Sequence, residues 1–333
     1  MTDIDVSVGL APTFESAQHI ATAEKLGYRR AYLFDTPFEG DDVWLGLHRA
    51  AQMTSTIELG PGVLIPTQRH PLVNAAETVS LSKLAPGRIF SAFGTGFSSR
   101  AAIGQPPIRW AYMEAYMRAY QGLLAGEVVD WEGAPIKLML TSHEADALPL
   151  RIPLLVSAIG PKGAAVAQRV AADGIISLFH VLPDQRRFPR AVVAVFGTVL
   201  EDNEQPADER VRLAVGPAWA GMFHFVYTGQ GAAAVADMPG GTAWLEVIES
   251  IPERERHLHI HQGHMAEMNE ADMAAWRAGG HVSIPSTTLT GSAEAIGKAV
   301  AAMAADGATE VMIQPSGPDI SRELDAFIAA VRG

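Results

Sequence analysis

The stretch "LGPGVLIPTQRHP" (residues 59–71) begins as an apolar, β-branched run and ends in a proline-containing turn. Its first half predicts a buried strand, yet Gly60, Pro61 and Gly62 lie inside it and Pro66 follows directly. Proline cannot donate to a β-ladder and glycine weakens a strand interior, so a strand that only had to pack would avoid both. We therefore predict a bulge where this strand ends, and bulges are common beside active sites.

This run is the third of eight short apolar runs that alternate with longer, alanine-rich amphipathic segments. Such alternation predicts βα units and a parallel sheet. The predicted strands are 6–10, 31–35, 57–65, 88–94, 153–159, 174–179, 211–220 and 310–315. The predicted helices are 14–27, 41–54, 71–84, 109–126, 161–172, 183–200, 292–306 and 319–331. Eight units predict an α/β fold of the (β/α)8 TIM-barrel type, with chemistry on the loops that follow the strands. A doubly wound open sheet is the alternative.

Two segments interrupt this alternation within what we expect to be a single domain, residues 1–333. Residues 127–152 resemble a hairpin inserted after strand 4, and residues 221–290 form a segment rich in His, Met and Gly after strand 7. If they follow those strands, both insertions are expected over the active face of the barrel.

The composition limits the classes of protein to be considered. Hydrophobic residues make up 48% and charged residues 19% of the chain, which is typical of a well-packed enzyme. The formal net charge of −12 argues against nucleic acid as a partner. The chain contains no cysteine, which excludes disulfides and thiolate metal sites. The start "MTDIDVSVGL" is not a signal peptide, and no apolar run is long enough for a membrane span, so we expect a cytoplasmic protein without a membrane partner.

Five stretches, in this order along the chain, together resemble the luciferase-like superfamily of flavin- and deazaflavin-dependent oxidoreductases. They are "AEKLGYRRAYLFDTPFEGDDVW", "TSTIELGPGVLIPTQRHPLVNAAETVSLSKLAPGRI", "FGTG", "SAIGPKGAAVAQRVAADGII" and "TLTGSAEAIGKAVAAMAADGATEVMIQPSG". The chain looks most like the branch that contains methylenetetrahydromethanopterin reductase, whose members use coenzyme F420. The resemblance implies a (β/α)8 barrel, a small organic substrate, and a homodimer formed through the helices that follow strands 2 and 3.

The resemblance also implies where a cofactor would lie. In this family the third strand ends in a bulge, commonly with a non-proline cis peptide, which presses against the back of the tricyclic ring. That bulge corresponds to Gly62, Val63, Leu64 and Ile65. The positions beside the ring and near its polar edge correspond to Asp35, Thr36, Thr95 and Gly96. The wall of the cofactor groove corresponds to Ser157, Ala158, Gly160, Pro161, Lys162 and Gly163.

The tail of F420 is anionic, so its binding to an acidic protein requires local cations. Lys162, Arg100 and Arg69 lie at predicted strand ends, and Lys162 also lies in the first turn of a predicted helix, where backbone N–H groups attract anions.

Hydride transfer usually requires a proton donor or acceptor within hydrogen-bonding reach. Several relatives carry a histidine at the position of Thr36 and a carboxylate after the first strand, and this chain has neither. The remaining candidates are Asp35, His70, Glu77, His180 and His264. A helix-capping role is an equally good interpretation of His70.

The segment "ERHLHIHQGH" contains His257, His259 and His261 in alternation. In an extended strand they would share one face and could bind zinc. We favour a polar face in an inserted loop and expect no metal site. The neighbouring aromatic and methionine residues predict either a core or the wall of an apolar substrate cavity. They are Trp219, Met222, Phe223, Phe225, Tyr227 and Trp244.

Three functions follow from these observations. The first is an F420-dependent oxidoreductase that passes a hydride between the deazaflavin C5 and an organic substrate. The second is an FMN-dependent monooxygenase of the same fold. The third, from another class, is a barrel that binds a cofactor or metabolite without catalysis.

Overall fold

A computed structural model describes residues 4–333, and within them eight parallel strands form one sheet. The strands of the chain are β1 (Asp5–Leu10), β2 (Arg30–Leu33), β3 (Glu58–Pro61), β4 (Ser91–Phe93), β5 (Val129–Trp131), β6 (Ala134–Ile136), β7 (Leu154–Ser157), β8 (Gly174–Leu178), β9 (Arg190–Val195) and β10 (Glu310–Ile313). The sheet order is β3-β2-β1-β10-β9-β8-β7-β4. Bridges from Leu59 to Ile89 and from Leu64 to Phe93 join its two edges. The sheet is therefore a closed barrel, as predicted.

Helices surround this barrel and also form the larger insertion. They are α1 (Ser16–Leu26), α2 (Val43–Met53), α3 (Pro71–Leu84), α4 (Phe97–Ala101), α5 (Trp110–Leu124), α6 (Pro161–Arg169), α7 (Glu209–Gln230), α8 (Ala232–Ala236), α9 (Gly241–Glu249), α10 (Arg256–Ile260), α11 (Glu270–Arg277), α12 (Ile284–Thr287), α13 (Ala293–Ala305) and α14 (Ile320–Arg332). Local sequence sets several of their ends. Asp42 caps α2 by accepting the Trp44 N–H at 2.8 Å, and Gly27 ends α1 with a φ of 85°.

The described residues pack into three hydrophobic clusters. One fills the barrel interior and comprises Tyr32, Phe90, Ala92, Leu155, Ile176, Val192, Ala194 and Met312. A second lies between the strands and the surrounding helices. The third belongs to the insertion alone, around Trp219, Phe223 and Trp244. The insertion thus has its own core and can present a preformed surface to the barrel. Among the helices of residues 4–333, none has both the length and the apolar character that a membrane span requires.

An ion-pair cluster occupies the barrel at the amino-terminal ends of the strands. Arg30 donates to Asp5 Oδ2 at 2.7 Å, to Glu58 Oε2 at 2.9 Å and to Glu310 Oε2 at 2.8 Å. Each of these four residues begins a strand, and Tyr32 donates its hydroxyl to Glu310 Oε1 at 2.9 Å. Because this end of the barrel is filled by structural charges, a ligand site must lie at the opposite end.

The structure corrects two predicted elements. Residues 211–220, predicted as the seventh strand, lie in helix α7, where Val211, Val215 and Trp219 recur every four residues on its buried face. The seventh barrel strand is instead β9, within residues 183–200, which were predicted as a helix. Only a short 3-10 turn, Gln185–Arg187, lies between β8 and β9.

The two insertions follow barrel strands four and seven, as predicted. They pack against different parts of the molecule. The β5–β6 hairpin packs beside α5. Trp131 of β5 lies edge-on to the rings of Tyr112 and Tyr116 in that helix. The second insertion runs from α7 to α12. Its residues 258–267 face the loops that follow β1, β2 and β4, so this insertion covers the active face.

Candidate active site

The register between the end of β3 and β4 shifts by one residue, because the bridge from Leu59 to Ile89 is followed by a bridge from Leu64 to Phe93. The Gly62 N–H donates to Leu33 O in β2 at 2.7 Å, whereas the Leu64 N–H donates to Ala92 O in β4 at 2.8 Å. The Gly94 N–H returns to Leu64 O at 3.1 Å. The peptide between Gly62 and Val63 is cis, as the family resemblance implied. The predicted bulge at the end of β3 is confirmed.

Glycines allow three strand ends to meet at this bulge. A Cβ on Gly94 would lie 2.5 Å from Val63 Cγ2 and 3.6 Å from Ser157 Cβ. A Cβ on Gly62 would lie 2.6 Å from Tyr32 Cβ. Real Cβ atoms do not approach so closely, so only glycine fits at these two positions. The structure therefore brings together the segments around Val63, Gly94 and Ser157.

The loop after β4 is held against the same bulge. Gly96 has a φ of 74°, and a Cβ there would lie 2.7 Å from Ile65 Cγ2. Its neighbour Thr95 is half-buried, and the Thr95 carbonyl accepts the Ile108 N–H at 2.9 Å. The backbone of this loop is thus fixed beside the bulge, where the polar edge of a cofactor was expected.

Helix α6 begins next to Ser157 and offers an anion-attracting end. Pro161 occupies its first turn, and a Cβ on Gly163 would lie 2.5 Å from the buried Ala158 Cβ. Gly160 precedes the helix in extended backbone. Lys162 is exposed in the first turn, and it forms no ion pair within residues 4–333. Its charge adds to that of the helix dipole at this end of the groove.

Asp35 holds the bulge in place from the neighbouring strand. The Ile65 N–H donates to Asp35 Oδ2 at 3.3 Å, and Arg69 Nη1 donates to Oδ1 at 2.6 Å. In the orientation that satisfies its neighbours, the Gln68 amide nitrogen lies 2.8 Å from Oδ2. Burial raises the pKa of Asp35, and the Arg69 guanidinium offsets part of that change. Both carboxylate oxygens of Asp35 therefore accept hydrogen bonds from the segment that follows β3.

The predicted cations differ in whether an acidic side chain of the protein already pairs with them. Arg69 also pairs with Asp42, so its charge is neutralised within the protein. Arg100 donates to Thr67 Oγ1 at 2.7 Å and to the Pro106 carbonyl, both of which are uncharged. Across the described part of the chain Arg100 has no acidic partner. Arg100 and Lys162 are therefore the two predicted cations that can face an anionic ligand.

The predicted proton donors do not converge. His70 caps α3, because its Nδ1 accepts the Leu72 N–H at 3.2 Å. Glu77 lies in α3 and faces His48 Nε2 at 3.9 Å. His180 is exposed after β8, at the rim. His264 is buried in the insertion, and its Nδ1 lies 3.0 Å from His224 Nδ1. Burial lowers the pKa of His264 well below its ordinary value, which makes it a weak candidate for a general acid.

Glu39 is a candidate that the sequence reasoning missed. The Glu39 N–H donates to Thr36 O at 2.9 Å in a turn after β2. Burial raises the pKa of Glu39 to about 7, and the adjacent Thr36 hydroxyl opposes that change. Thr36 and Glu39 do not reach good hydrogen-bonding geometry. Hence Thr36 Oγ1 and Glu39 Oε1 are both buried without a partner among the described residues. The one signal in the sequence was a carboxylate four residues after Asp35.

Glu39 lines a cavity of about 560 Å³ between the barrel loops and the insertion. This volume suits a small organic ligand. The lining residues are Thr13, Phe38, Glu39, Ala102, Leu258, His259, His261, Gln262, Gly263, Ala266 and Glu267. Glu39 therefore borders this cavity from the loop after β2.

The aromatic residues of the insertion mostly form its core. Trp219, Phe223 and Trp244 are fully buried, and the rings of Trp219 and Phe223 lie 5.0 Å apart. Tyr227 packs against Trp244, with ring centroids at 5.4 Å. Phe225 is exposed and lies 4.8 Å from the ring of Phe97 in α4. The cavity wall comes from other residues of the insertion.

The alternating histidines do not lie in a strand. His257 and His259 are in helix α10, and His261 is buried directly after it. The alternative of one shared strand face does not hold, because helical geometry turns successive alternate residues to different sides. Burial lowers the pKa of His261 to about 3. His261 lies with His224 and His264, a grouping that the sequence pattern did not indicate.

Known proteins are similar to this chain in sequence. The sequence profile of the family described as luciferase-like monooxygenase matches residues 5–310. A 5,10-methylenetetrahydromethanopterin reductase of Methanolobus tindarius is 28% identical over 173 residues, which are 51% of this chain and 52% of that protein. An F420-dependent glucose-6-phosphate dehydrogenase of Beutenbergia cavernae is 37% identical over 140 residues, 40% of each. The chain thus spans about half the length, or less, of these relatives.

A solved structure is similar over nearly the whole chain. The coenzyme F420-dependent tetrahydromethanopterin reductase of Methanopyrus kandleri superposes with a TM-score of 0.68 at 18% identity. The superposition covers 99% of this chain and 98% of that one. At this level of identity the likeness establishes a shared fold and leaves the reaction to be argued from the site.

Proposed function

The chain belongs to the luciferase-like monooxygenase family, and we propose that within this family it is an F420-dependent oxidoreductase acting on a small organic substrate. The observation that carries the proposal is the meeting of three strand ends, where a Cβ on Gly94 would lie 2.5 Å from Val63 Cγ2 and 3.6 Å from Ser157 Cβ. A flat heterocycle can lie against such a surface because only main chain and small side chains border it. The relative of Beutenbergia cavernae, which is named for F420, supports a deazaflavin as the ligand there.

The residues present suit such a cofactor. Thr36 Oγ1 is buried without a partner among residues 4–333, which is costly unless a ligand supplies a hydrogen bond. Arg100 and the first turn of α6 with Lys162 provide positive potential for an anionic tail. When bound, the deazaflavin would supply or accept a hydride at its C5. The protein would orient the ring, fix the tail and exclude water.

Glu39 is proposed to move the accompanying proton. Its pKa of about 7 allows the carboxyl to donate or accept a proton near neutral pH. Its Oε1 has no partner within the described structure, and Glu39 lines the cavity proposed to hold the substrate. This carboxyl argues against a barrel that merely binds a ligand, because a raised carboxyl pKa beside a cavity is typical of catalytic sites.

Titration of the purified chain with F420 and with FMN tests the proposal. We expect F420 to bind at least tenfold more tightly, with a change in deazaflavin fluorescence that saturates at one equivalent. Preferred binding of FMN, together with oxygen consumption by the reduced FMN complex, would establish the monooxygenase alternative instead. Binding of neither cofactor would contradict both.

A homodimer through α2 and α3 is also proposed. These helices carry four large apolar side chains that are 42–54% exposed: Leu45, Met53, Val73 and Leu84. Exposed apolar side chains on adjacent helices are typical of an interface. Light scattering should give twice the chain mass, and Leu45→Glu should reduce the mass to that of one chain.

A further inference from the structure

Three histidines that the proposed reaction does not use meet inside the insertion. His224 lies in α7, and His261 and His264 lie in the loop after α10. All three are buried, and a ring nitrogen from each lies within 4.8 Å of the other two. We propose that His224, His261 and His264 bind a divalent transition-metal ion of the zinc class beside the substrate cavity.

The spacing of the ring nitrogens suits such an ion. Zinc–nitrogen bonds of about 2.0–2.1 Å in a tetrahedral site separate the ligand nitrogens by about 3.3 Å. His224 Nδ1 and His264 Nδ1 are already 3.0 Å apart. His261 must approach by about 1.5 Å at most to complete such a site. That movement breaks no hydrogen bond of His261 Nδ1, which is buried without a partner among the described residues.

A carboxylate fixes the tautomer that metal binding requires. His224 Nε2 lies 3.0 Å from Asp272 Oδ1, which also accepts the Trp244 indole N–H at 2.9 Å. A carboxylate accepts hydrogen bonds, so His224 carries its proton on Nε2 and presents a lone pair at Nδ1. Asp272 is itself held, since its Oδ2 accepts the Asn269 N–H at 3.1 Å in the capping box of α11. Carboxylates that hold the far nitrogen of a histidine are the usual support of metal-binding imidazoles.

The donor set selects the class of ion. Three imidazoles without a carboxylate suit zinc and its neighbours, whereas calcium and magnesium require oxygen ligands. Three protein ligands leave a fourth position for water or a small anion. His261 also lines the cavity of about 560 Å³, which gives that position a route to solvent. This site stands apart from the cofactor groove and does not depend on which cofactor binds.

Metal binding by the untagged chain of residues 1–333 tests the proposal. After treatment with a chelator and dialysis, we expect the protein to bind one equivalent of Zn²⁺ by calorimetry, with no cofactor present. Cobalt in place of zinc should give the visible absorption bands of a tetrahedral or five-coordinate site. The midpoint of thermal unfolding should rise with zinc concentration, since an ion that binds only the folded state stabilises it.

Variants separate the cluster from adventitious surface binding. His261→Gln should weaken zinc binding at least tenfold, and Asp272→Asn should weaken it by about tenfold or more. The matched control is His259→Gln, which removes an exposed histidine two residues away and should leave binding unchanged. Less than a tenth of an equivalent bound by the wild-type chain would overturn the proposal, leaving a metal-free imidazole pair. Equal affinity in the wild type and His261→Gln would also overturn it.

Discussion

Asp35 Oδ2 accepts the backbone N–H of Ile65 at 3.3 Å, so a side chain at the end of β2 holds the bulge at the end of β3. The same carboxylate pairs with Arg69, which follows the bulge in sequence. Both ends of the segment 65–69 are thereby tied to one buried anion. Asp35 thus fixes the backbone of the bulge.

Replacing Asp35 with asparagine should loosen this segment. The substitution leaves the largely buried Arg69 with only Asp42 as a charged partner, and breaking a buried pair costs about 3 kcal/mol. We expect lower stability in urea unfolding and at least tenfold weaker F420 binding. Asp41→Asn is the matched control, because Asp41 lies on the same loop but faces Arg49 at 3.9 Å. Unchanged F420 affinity in Asp35→Asn would show that the bulge does not need this carboxylate.

Reversing the charge of Lys162 tests the orientation of the anionic tail. Lys162→Glu should weaken F420 binding by about tenfold or more, which is about 1.4 kcal/mol. The loss should shrink at high salt because the interaction is exposed and screened. Lys298→Glu changes an exposed lysine on α13 and should leave the titration unchanged. Equal effects of the two variants would assign the loss to net charge alone and remove Lys162 from the site.

Much of the fold could be predicted from the sequence because most apolar runs are followed by their own helix. The exception was β9, whose "RAVVAV" follows β8 after a 3-10 turn instead of a helix. Because no helix separates β8 from β9, the β9 run falls within the predicted helix 183–200. Val211 and Val215 were predicted to lie in the seventh strand instead, although their spacing also fits a helix. The pairing of β9 with β8 and β10 in the barrel is what identifies β9, and not residues 211–220, as the seventh strand.

The parts of the site that depend on glycine in the backbone could be predicted from the sequence. The parts that depend on burial of a side chain by distant residues could not. Gly62 was predicted to lie in a bulge, and the structure shows a close approach there, since a Cβ on Gly62 would lie 2.6 Å from Tyr32 Cβ. Glu39 looked like any loop carboxylate, because its raised pKa comes from residues of the insertion and barrel that fold over it. His224 and His264 are 40 residues apart in sequence, and no spacing rule brings them together.

The stability of the chain should depend on pH through Glu39. The pKa of its carboxyl rises from 4.5 to about 7 on folding, so between these values the native state holds more protons than the unfolded state. Stability from this group is therefore full below about pH 4.5 and is lost as the pH rises through 7. Glu39→Gln should consequently be more stable than the wild type at pH 8 and nearly equal to it at pH 4.

Urea unfolding at the two pH values measures this difference. Glu267→Gln is the matched control, since Glu267 lines the same cavity but is exposed. With a substrate in hand, Glu39→Gln should also lower turnover about 100-fold and remove the pH dependence near 7. A stability gain that is the same at both pH values would show that Glu39 does not titrate in this range.

Arg30 should support the fold without affecting the site, because its ion pairs lie at the end of the barrel away from the groove. Arg30→Met leaves the buried Glu310 without its ion-pair partner among the described residues, which should cost about 3–5 kcal/mol. Arg29→Met is the neighbouring control, since Arg29 is 54% exposed and its pair with Glu58 should contribute less than about 1 kcal/mol. Urea unfolding should separate the two variants, while F420 affinity should match the wild type in both. Equal losses of stability in the two variants would show that burial of the Arg30 cluster does not decide its contribution.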